Sequence, residues 1–281
     1  MLAGDHGPGT AFAMRLVVRA AEILDADRLL PITGAHVDSC LYHGQATLDF
    51  VDRLVEGGAT ARVPTTLNVG TIDLLHPELW RGDAELAARG RRLMAQYRAL
   101  GCRPTFTCAP YQLTARPGLG DQVAWGESNA IVFANSVLGA RTNRYGDFLD
   151  IAAAVVGRVP DAGLHRTENR AARVVVRLAP DVPPALLEDD ALYPVLGIVV
   201  GRLVGGTVSV IDGLPPVVSE DRLKALGAAA ASSGSVALLH VAGSTPEAPT
   251  VEAALHDREP AAVLEVSFAD VRAVRRELSV G

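Results

Sequence analysis

The chain has 281 residues, 49% of them hydrophobic and 21% charged, with a formal net charge of −6. That length supports a large core in one large or two medium domains. The acidic balance argues against nucleic acid as the main partner, since binding it requires basic patches. The single lysine, Lys224, sits in what reads as a solvated helix start, which argues against lysine Schiff-base chemistry.

Thr10–Ile23 is apolar at helical spacing, and Arg28–Ile32 reads as a short buried strand running into Gly34. Ala35–Gly44 is polar and turn-rich. Ala46–Glu56 is an amphipathic helix that Gly57-Gly58 ends. A strand is expected over Ala61–Val63, then a loop over Pro64–Gly70, a helix over Ala84–Leu100 and a strand near Arg103–Thr107. This repeated strand–loop–helix rhythm predicts an α/β layered domain whose chemistry lies in loops at strand carboxyl ends. After Gly163 the texture changes. Strands are expected over Ala172–Leu178, Ser235–Val241 and Ala262–Val266, a polar helix over Pro183–Asp190 and a last helix over Phe268–Leu278. A boundary near 165 divides the chain into a first α/β domain, 1–165, carrying the site loops, and a second, 166–281.

Three cysteines, Cys40, Cys102 and Cys108, and a start without a basic stretch fit a reducing, cytoplasmic location. The longest apolar stretches fall short of a membrane span. Cys108 stands in Thr107-Cys108-Ala109-Pro110-Tyr111-Gln112, nineteen residues ahead of Glu127-Ser128-Asn129 and the apolar run Ala130–Leu138. A thiol followed by a carboxylate, a hydroxyl and an amide suggests a soft-metal site with acid/base groups beside it. The plainer reading makes Ser128 a cap for the following helix, with Glu127 favoured by the helix dipole. Alternatively, the helix start presents Ser128, Asn129 and backbone N–H groups to an anionic substrate, with Glu127 as acid/base. The polar run Arg141–Asp147 suits either carboxylate recognition or helix-end capping. Thr65-Thr66-Leu67-Asn68 suits either substrate contact or a turn. His36, Asp38, Cys40 and His43 are potential zinc ligands, but their spacing matches no standard ligand pair.

Together Ala35–Gly44, Pro64–Gly70, Thr107–Gln112 and Ala124–Asn129 through Arg141–Asp147, with Gly243–Pro249 later, resemble the aconitase X family along nearly the whole chain. The resemblance implies a hydro-lyase of stacked α/β/α layers, acting on a small hydroxy acid through an iron–sulfur Lewis acid (2Fe-2S or 4Fe-4S). Family members dehydrate cis-3-hydroxy-L-proline or mevalonate 5-phosphate, and the wording of Ala35–Gly44 is closer to the bacterial hydroxyproline branch. By position, Cys108 corresponds to the first of three cluster cysteines. Glu127 and Ser128 correspond to substrate-contacting, catalytic positions, Asn68 with the backbone of Val69 to another contact, and Ser39, Cys40 and Leu41 to a further substrate-facing stretch. The other two cluster cysteines, and the small swivelling domain with its serine base, have no counterpart in these residues. The chain is therefore expected to be the amino-terminal two-thirds of a large subunit, completed by a small subunit and a chain supplying the missing cysteines. The alternative is a catalytically silent fragment that binds a partner or a small acid.

Overall fold

The computed structural model describes residues 1–279, and contacts divide them into two units. The first takes 1–117, 121–127 and 142–165; the second takes 118–120, 128–141 and the chain from 166 onward.

In chain order the elements up to residue 160 are α1 (Pro8–Ile23), β1 (Leu29–Pro31), β2 (Gly34–Val37), α2 (Gln45–Glu56), β3 (Thr65–Leu67), α3 (Ala84–Ala99), β4 (Val123–Trp125), α4 (Ser128–Ser136), α5 (Leu149–Val156) and β5 (Arg158–Pro160). All but α4 belong to the first unit. Proline at its first position starts α1, where the missing N–H costs nothing. Past the end of α2, Gly58 takes a φ of 69°, a conformation that favours glycine. Asp83 caps α3 by accepting the Leu86 N–H at 2.9 Å.

The central sheet has the order β3-β2-β4 and is entirely parallel. Ala35, His36 and Val37 of β2 are all buried, as expected of a parallel strand covered on both faces. Because the three strands run the same way, the residues after Val37, Leu67 and Trp125 emerge at one edge. In open α/β sheets that carboxyl edge is where ligands bind.

Several expected elements shift. The start of Ala35–Gly44 is strand β2, not loop. The strand expected over Ala61–Val63 lies instead over Thr65–Leu67, inside the expected loop. The N–H groups of Ala61 and Arg62 go to the carbonyls of Leu100 and Ala154, outside any ladder, and Pro64 has no N–H to give. Arg103–Thr107 runs parallel to β3 but makes only an isolated bridge, Thr66 to Arg103. Pro104 lacks a donor, and Phe106 has a φ of 43°, which breaks an extended run. The segment near Arg28 pairs antiparallel with β5 as a half-exposed Leu29–Pro31.

In the second unit follow β6 (Val174–Leu178), α6 (Leu192–Val204), β7 (Ser209–Asp212), α7 (Glu220–Gly234), β8 (Leu239–Val241), α8 (Val251–Ala254), β9 (Ala262–Val266) and α9 (Phe268–Leu278). Its sheet, β8-β7-β6-β9, is also parallel throughout. Pro183–Asp190 forms a 3₁₀ turn over Pro184–Glu188, not an α-helix, held by bonds such as Leu186 N–H to Pro183. The strand expected from Ser235 begins only at Leu239, because Ser235 closes α7 in the left-handed region at φ 62°. Ser267 and Asp270 form a reciprocal capping box on α9. Among the described residues no helix is long and apolar enough to cross a membrane.

Candidate active site at the carboxyl edge of the first sheet

Four chain segments converge at the carboxyl edge of the β3-β2-β4 sheet. Asp38-Ser39-Cys40 follows β2, Asn68-Val69 follows β3, Gly126-Glu127 follows β4, and Cys108 ends the segment bridged to β3. The Thr107 N–H bonds the Leu67 carbonyl at 3.2 Å, so Cys108 is held at the level where β3 ends.

Cys108 is exposed, whereas Cys40 and Cys102 are buried; none of the three is in a disulfide. Partial desolvation raises the Cys108 thiol, the carboxylates of Glu127 and Asp38 raise it further, and a hydrogen bond with the Val69 backbone opposes them. These interactions place Cys108, Val69, Glu127 and Asp38 in one neighbourhood. A thiol facing two carboxylates has no help toward the thiolate from its own surroundings, so it becomes a good ligand only when positive charge is brought to it.

Asp38 accepts an N–H from the side-chain amide of Asn68. Burial raises the Asp38 carboxyl, the Asn68 hydrogen bond lowers it, Asp147 raises it and His43 lowers it. The Asn68 side chain is buried, and its Oδ1 has no hydrogen-bond partner. An ionised carboxylate only accepts, so Asp38 fixes which end of the amide faces it.

Cys40 is fully buried, and its thiol reaches the carbonyls of Asn68 at 3.1 Å and Val69 at 3.3 Å. Its side chain is thus turned into the core, tying the β2 loop to the β3 loop. Burial and the Asp150 carboxylate push this thiol well above the usual range. Cys102 is pushed up to about 12, first by burial and then by Asp150. Ser39 is buried as well, with Oγ 2.6 Å from the Tyr97 hydroxyl. Leu41 is half-buried. Glu127 is the last residue of its segment in the first unit, and Ser128, next in the chain, is the first residue of α4 in the second. The helix therefore starts at Ser128 itself.

His36 is buried on β2, with Nδ1 2.8 Å from Thr66 Oγ1, and burial drives its pKa down to about 3, so the ring is neutral. Among the described residues no three His, Cys, Asp or Glu side chains are grouped to hold a metal, so His36, Asp38, Cys40 and His43 do not form the zinc site considered above. The same observation tests the iron–sulfur cluster. These residues offer one exposed thiol and two buried ones, a donor set that does not complete a cluster site, which normally takes most of its ligands from thiolates. Thr142 and Asn143, from the polar run after α4, have structural roles. Thr142 Oγ1 accepts the Trp125 N–H at 3.2 Å, and Asn143 bonds Ala162 and Leu164.

Three residues behind these loops escaped the sequence reading: Tyr97, Gly126 and Asp150. Asp150 had a visible signal, a lone carboxylate inside the apolar run Leu149–Val156. Tyr97 and Gly126 had none, since a tyrosine on an amphipathic helix and a glycine after a strand are both ordinary.

The first domain model of aconitase X matches residues 1–168, and its second domain model matches residues 172–276. The chain is 46% identical over 282 residues to cis-3-hydroxy-L-proline dehydratase of Pseudomonas aeruginosa, covering 99% of this chain and 47% of that protein. It is 42% identical to the phosphomevalonate dehydratase large subunit of Thermococcus kodakarensis, covering 98% of this chain and 67% of that subunit. The crystal structure of the holo-form of Thermococcus kodakaraensis aconitase X matches with a TM-score of 0.86 at 38% identity, over 98% of this chain and 67% of that one. The chain belongs to the aconitase X family. It spans about half the length of the cis-3-hydroxy-L-proline dehydratases it matches.

Proposed function

We propose that this chain is a component of a dehydratase that removes water from a small hydroxy acid, cis-3-hydroxy-L-proline being the substrate that fits best. The observation that carries this reading is the convergence of Cys108, Glu127, Asp38 and the Asn68-Val69 backbone at the carboxyl edge of the first sheet. The charge there supports the choice of substrate. Asp38, Glu127 and the nearby Asp147 are acidic and oppose a multiply charged phosphate, whereas the ammonium of an amino acid meets them favourably.

In this reading the first domain, 1–165, carries the site loops and the second runs from 166 to 281. The unit boundary between His165 and Arg166 supports that division, with 118–120 and 128–141, Ser128 among them, grouped with the second unit. Glu127 moves a proton at the substrate hydroxyl. Ser128 holds the substrate carboxylate, its place beside Glu127 in the chain being the support. Asn68, oriented by Asp38, and the Val69 backbone border the ligand, as do Ser39, Cys40 and Leu41, of which Ser39 and Cys40 act through the backbone they brace. Cys108 supplies one ligand to an iron–sulfur cluster, which would contribute Lewis acidity at the departing hydroxyl. The other ligands, and a small-subunit partner like that implied by the large-subunit names of the archaeal relatives, come from outside these 281 residues. Three cysteines outside any disulfide suit a reducing cytoplasm.

Anaerobic reconstitution with iron and sulfide, alone and with candidate partner chains, tests this. Visible absorbance reports the cluster, and loss of cis-3-hydroxy-L-proline reports turnover. Cys108→Ser is expected to abolish the absorbance. Glu127→Gln is expected to retain it while lowering kcat by about 10²- to 10⁴-fold, the usual worth of a general acid or base. Absence of both cluster and turnover in every combination would leave a silent binding module as the better account.

A further inference from the structure

Asp150 is fully buried on α5, and every residue from Ile151 to Val156 is a buried aliphatic. Its carboxylate accepts the Asp38 N–H at 2.7 Å, the Ile151 N–H at 2.6 Å and the Ser39 hydroxyl at 3.4 Å. The Ser39 hydroxyl also meets that of Tyr97, which ties α3 into the same network. The oxygen that accepts the Asp38 N–H, Oδ2, also lies so close to Gly126 that a Cβ there would sit 2.6 Å from it. One carboxylate thus holds Asp38–Ser39 by hydrogen bonds and packs directly against the turn before Glu127. Core packing alone does not call for a charge at this position, since a buried carboxylate costs free energy that an apolar side chain would not.

We infer that Asp150 is a positioning residue for the proposed site, clamping the loop after β2 and the Gly126-Glu127 turn at a fixed spacing from beneath. The inference rests on the substrate reading given above. The groups that face it are the carboxylates of Asp38 and Asp147, the hydroxyls of Ser39 and Tyr97, and the thiols of Cys40 and Cys102. Burial pushes its carboxyl up to about 7, the N–H groups of Asp38 and Ile151 oppose this, and Asp147 and Asp38 add to it. The ionised form accepts the stronger hydrogen bonds, so the clamp tightens as the pH rises through about 7. Because folding raises this carboxyl, its contribution to stability is fully present below about pH 4, the unfolded value, and is lost as the pH rises through the folded one. The tightened clamp is therefore held against the stability of the fold.

The test uses the whole chain and the variant Asp150→Asn, which keeps the shape of the side chain. In the wild type the Asp38 amide resonance is expected to show a titration phase with a midpoint near 7, and the variant is expected to lose that phase. Binding of cis-3-hydroxy-L-proline, followed by ligand-observed NMR, is expected to be about tenfold weaker in the variant at pH 8.5, the worth of one charge-assisted hydrogen bond over a neutral one. At pH 6, where the wild-type carboxyl is itself protonated, the two proteins should bind alike. A merely structural aspartate would instead produce the same loss at both pH values, and that result, or a wild-type Asp38 amide that does not titrate, overturns the inference. If the amide titrates but neither protein binds hydroxyproline, the substrate reading fails while the clamp stands. Should the variant not fold, wild-type binding decides: affinity is expected to rise between pH 6 and pH 8.5, and a flat profile overturns the inference.

Discussion

Gly234→Ala is expected to destabilise the second unit by about 3 kcal/mol or more, at the upper end of overpacking costs. A Cβ built on Gly234 would lie 1.8 Å from the carbonyl oxygen of Gly201, 2.3 Å from its carbonyl carbon and 2.6 Å from its Cα. All three are backbone atoms of α6, so no side chain can swing aside and the two helices must part. Gly197 and Gly201 make the same close approach from α6, where added Cβ atoms would meet Leu226 O at 2.3 Å and Ala230 O at 2.7 Å. Small residues at these positions set the distance between α6 and α7, both of which contribute Leu196, Val200, Leu226 and Ala230 to one core. Gly206→Ala serves as the control, since its Cβ would meet nothing nearer than 4.0 Å, and its cost should stay within about 1 kcal/mol. Chemical denaturation of both variants decides the matter. Equal midpoints would show that α6 and α7 separate without penalty, contrary to this account.

The second large effect is expected at Arg170, the bulkiest of the fully buried side chains. Its guanidinium holds the Glu247 carboxylate through Nε at 2.9 and 3.0 Å, and through Nη2 as well. It also donates to Asn135 Oδ1 at 3.0 Å and Asn135 O at 2.9 Å. His240, kept neutral because burial lowers its pKa, packs behind it with Nε2 2.8 Å from the Arg170 carbonyl. Through Arg170 the segment leading into β6, helix α4 and the loop after β8 are thus joined by one cation. Arg170→Met should cost about 3–5 kcal/mol, mostly because it leaves a largely buried carboxylate and two Asn135 oxygens without their donor. Adding Glu247→Gln to that variant should recover part of the loss, because the stranded charge disappears. If the single variant melted within a degree or two of the wild type, the network would not hold the unit together.

Much of the secondary structure is legible in the residues, because local periodicity encodes it. Thr10–Ile23 and Ala84–Leu100 carry a clear helical repeat, and the structure reproduces both to within about two residues. The short parallel strands are harder to read. Three or four residues buried on both faces, as in β2 and β3, have no alternation to detect. That is why Thr65–Leu67 reads as loop and its neighbour Ala61–Val63 as strand. Pairing with β2, a long-range event, makes Thr65–Leu67 a strand. The run Leu192–Val204 shows the same ambiguity, since a nearly all-apolar stretch with glycines does not reveal its period.

For the candidate site, the chemistry-bearing residues stand out in the sequence by type and grouping: Cys108, Glu127, Ser128, Asn68 and the segment Ser39–Leu41. Their distances from one another do not, because they depend on three strands running parallel and emptying at one edge. The buried groups behind them are invisible for the same reason. Asp150 stands 112 residues from Asp38, and only the packing of α5 beneath the sheet brings its carboxylate to that backbone N–H. By itself the sequence determined the element types where a period exists, the acidic balance, and the family resemblance carried by its motifs. Tertiary structure alone decided which thiols are buried, which carboxylates surround Cys108 and which side chain braces the loops. Those properties come from long-range packing and desolvation, which no local pattern encodes.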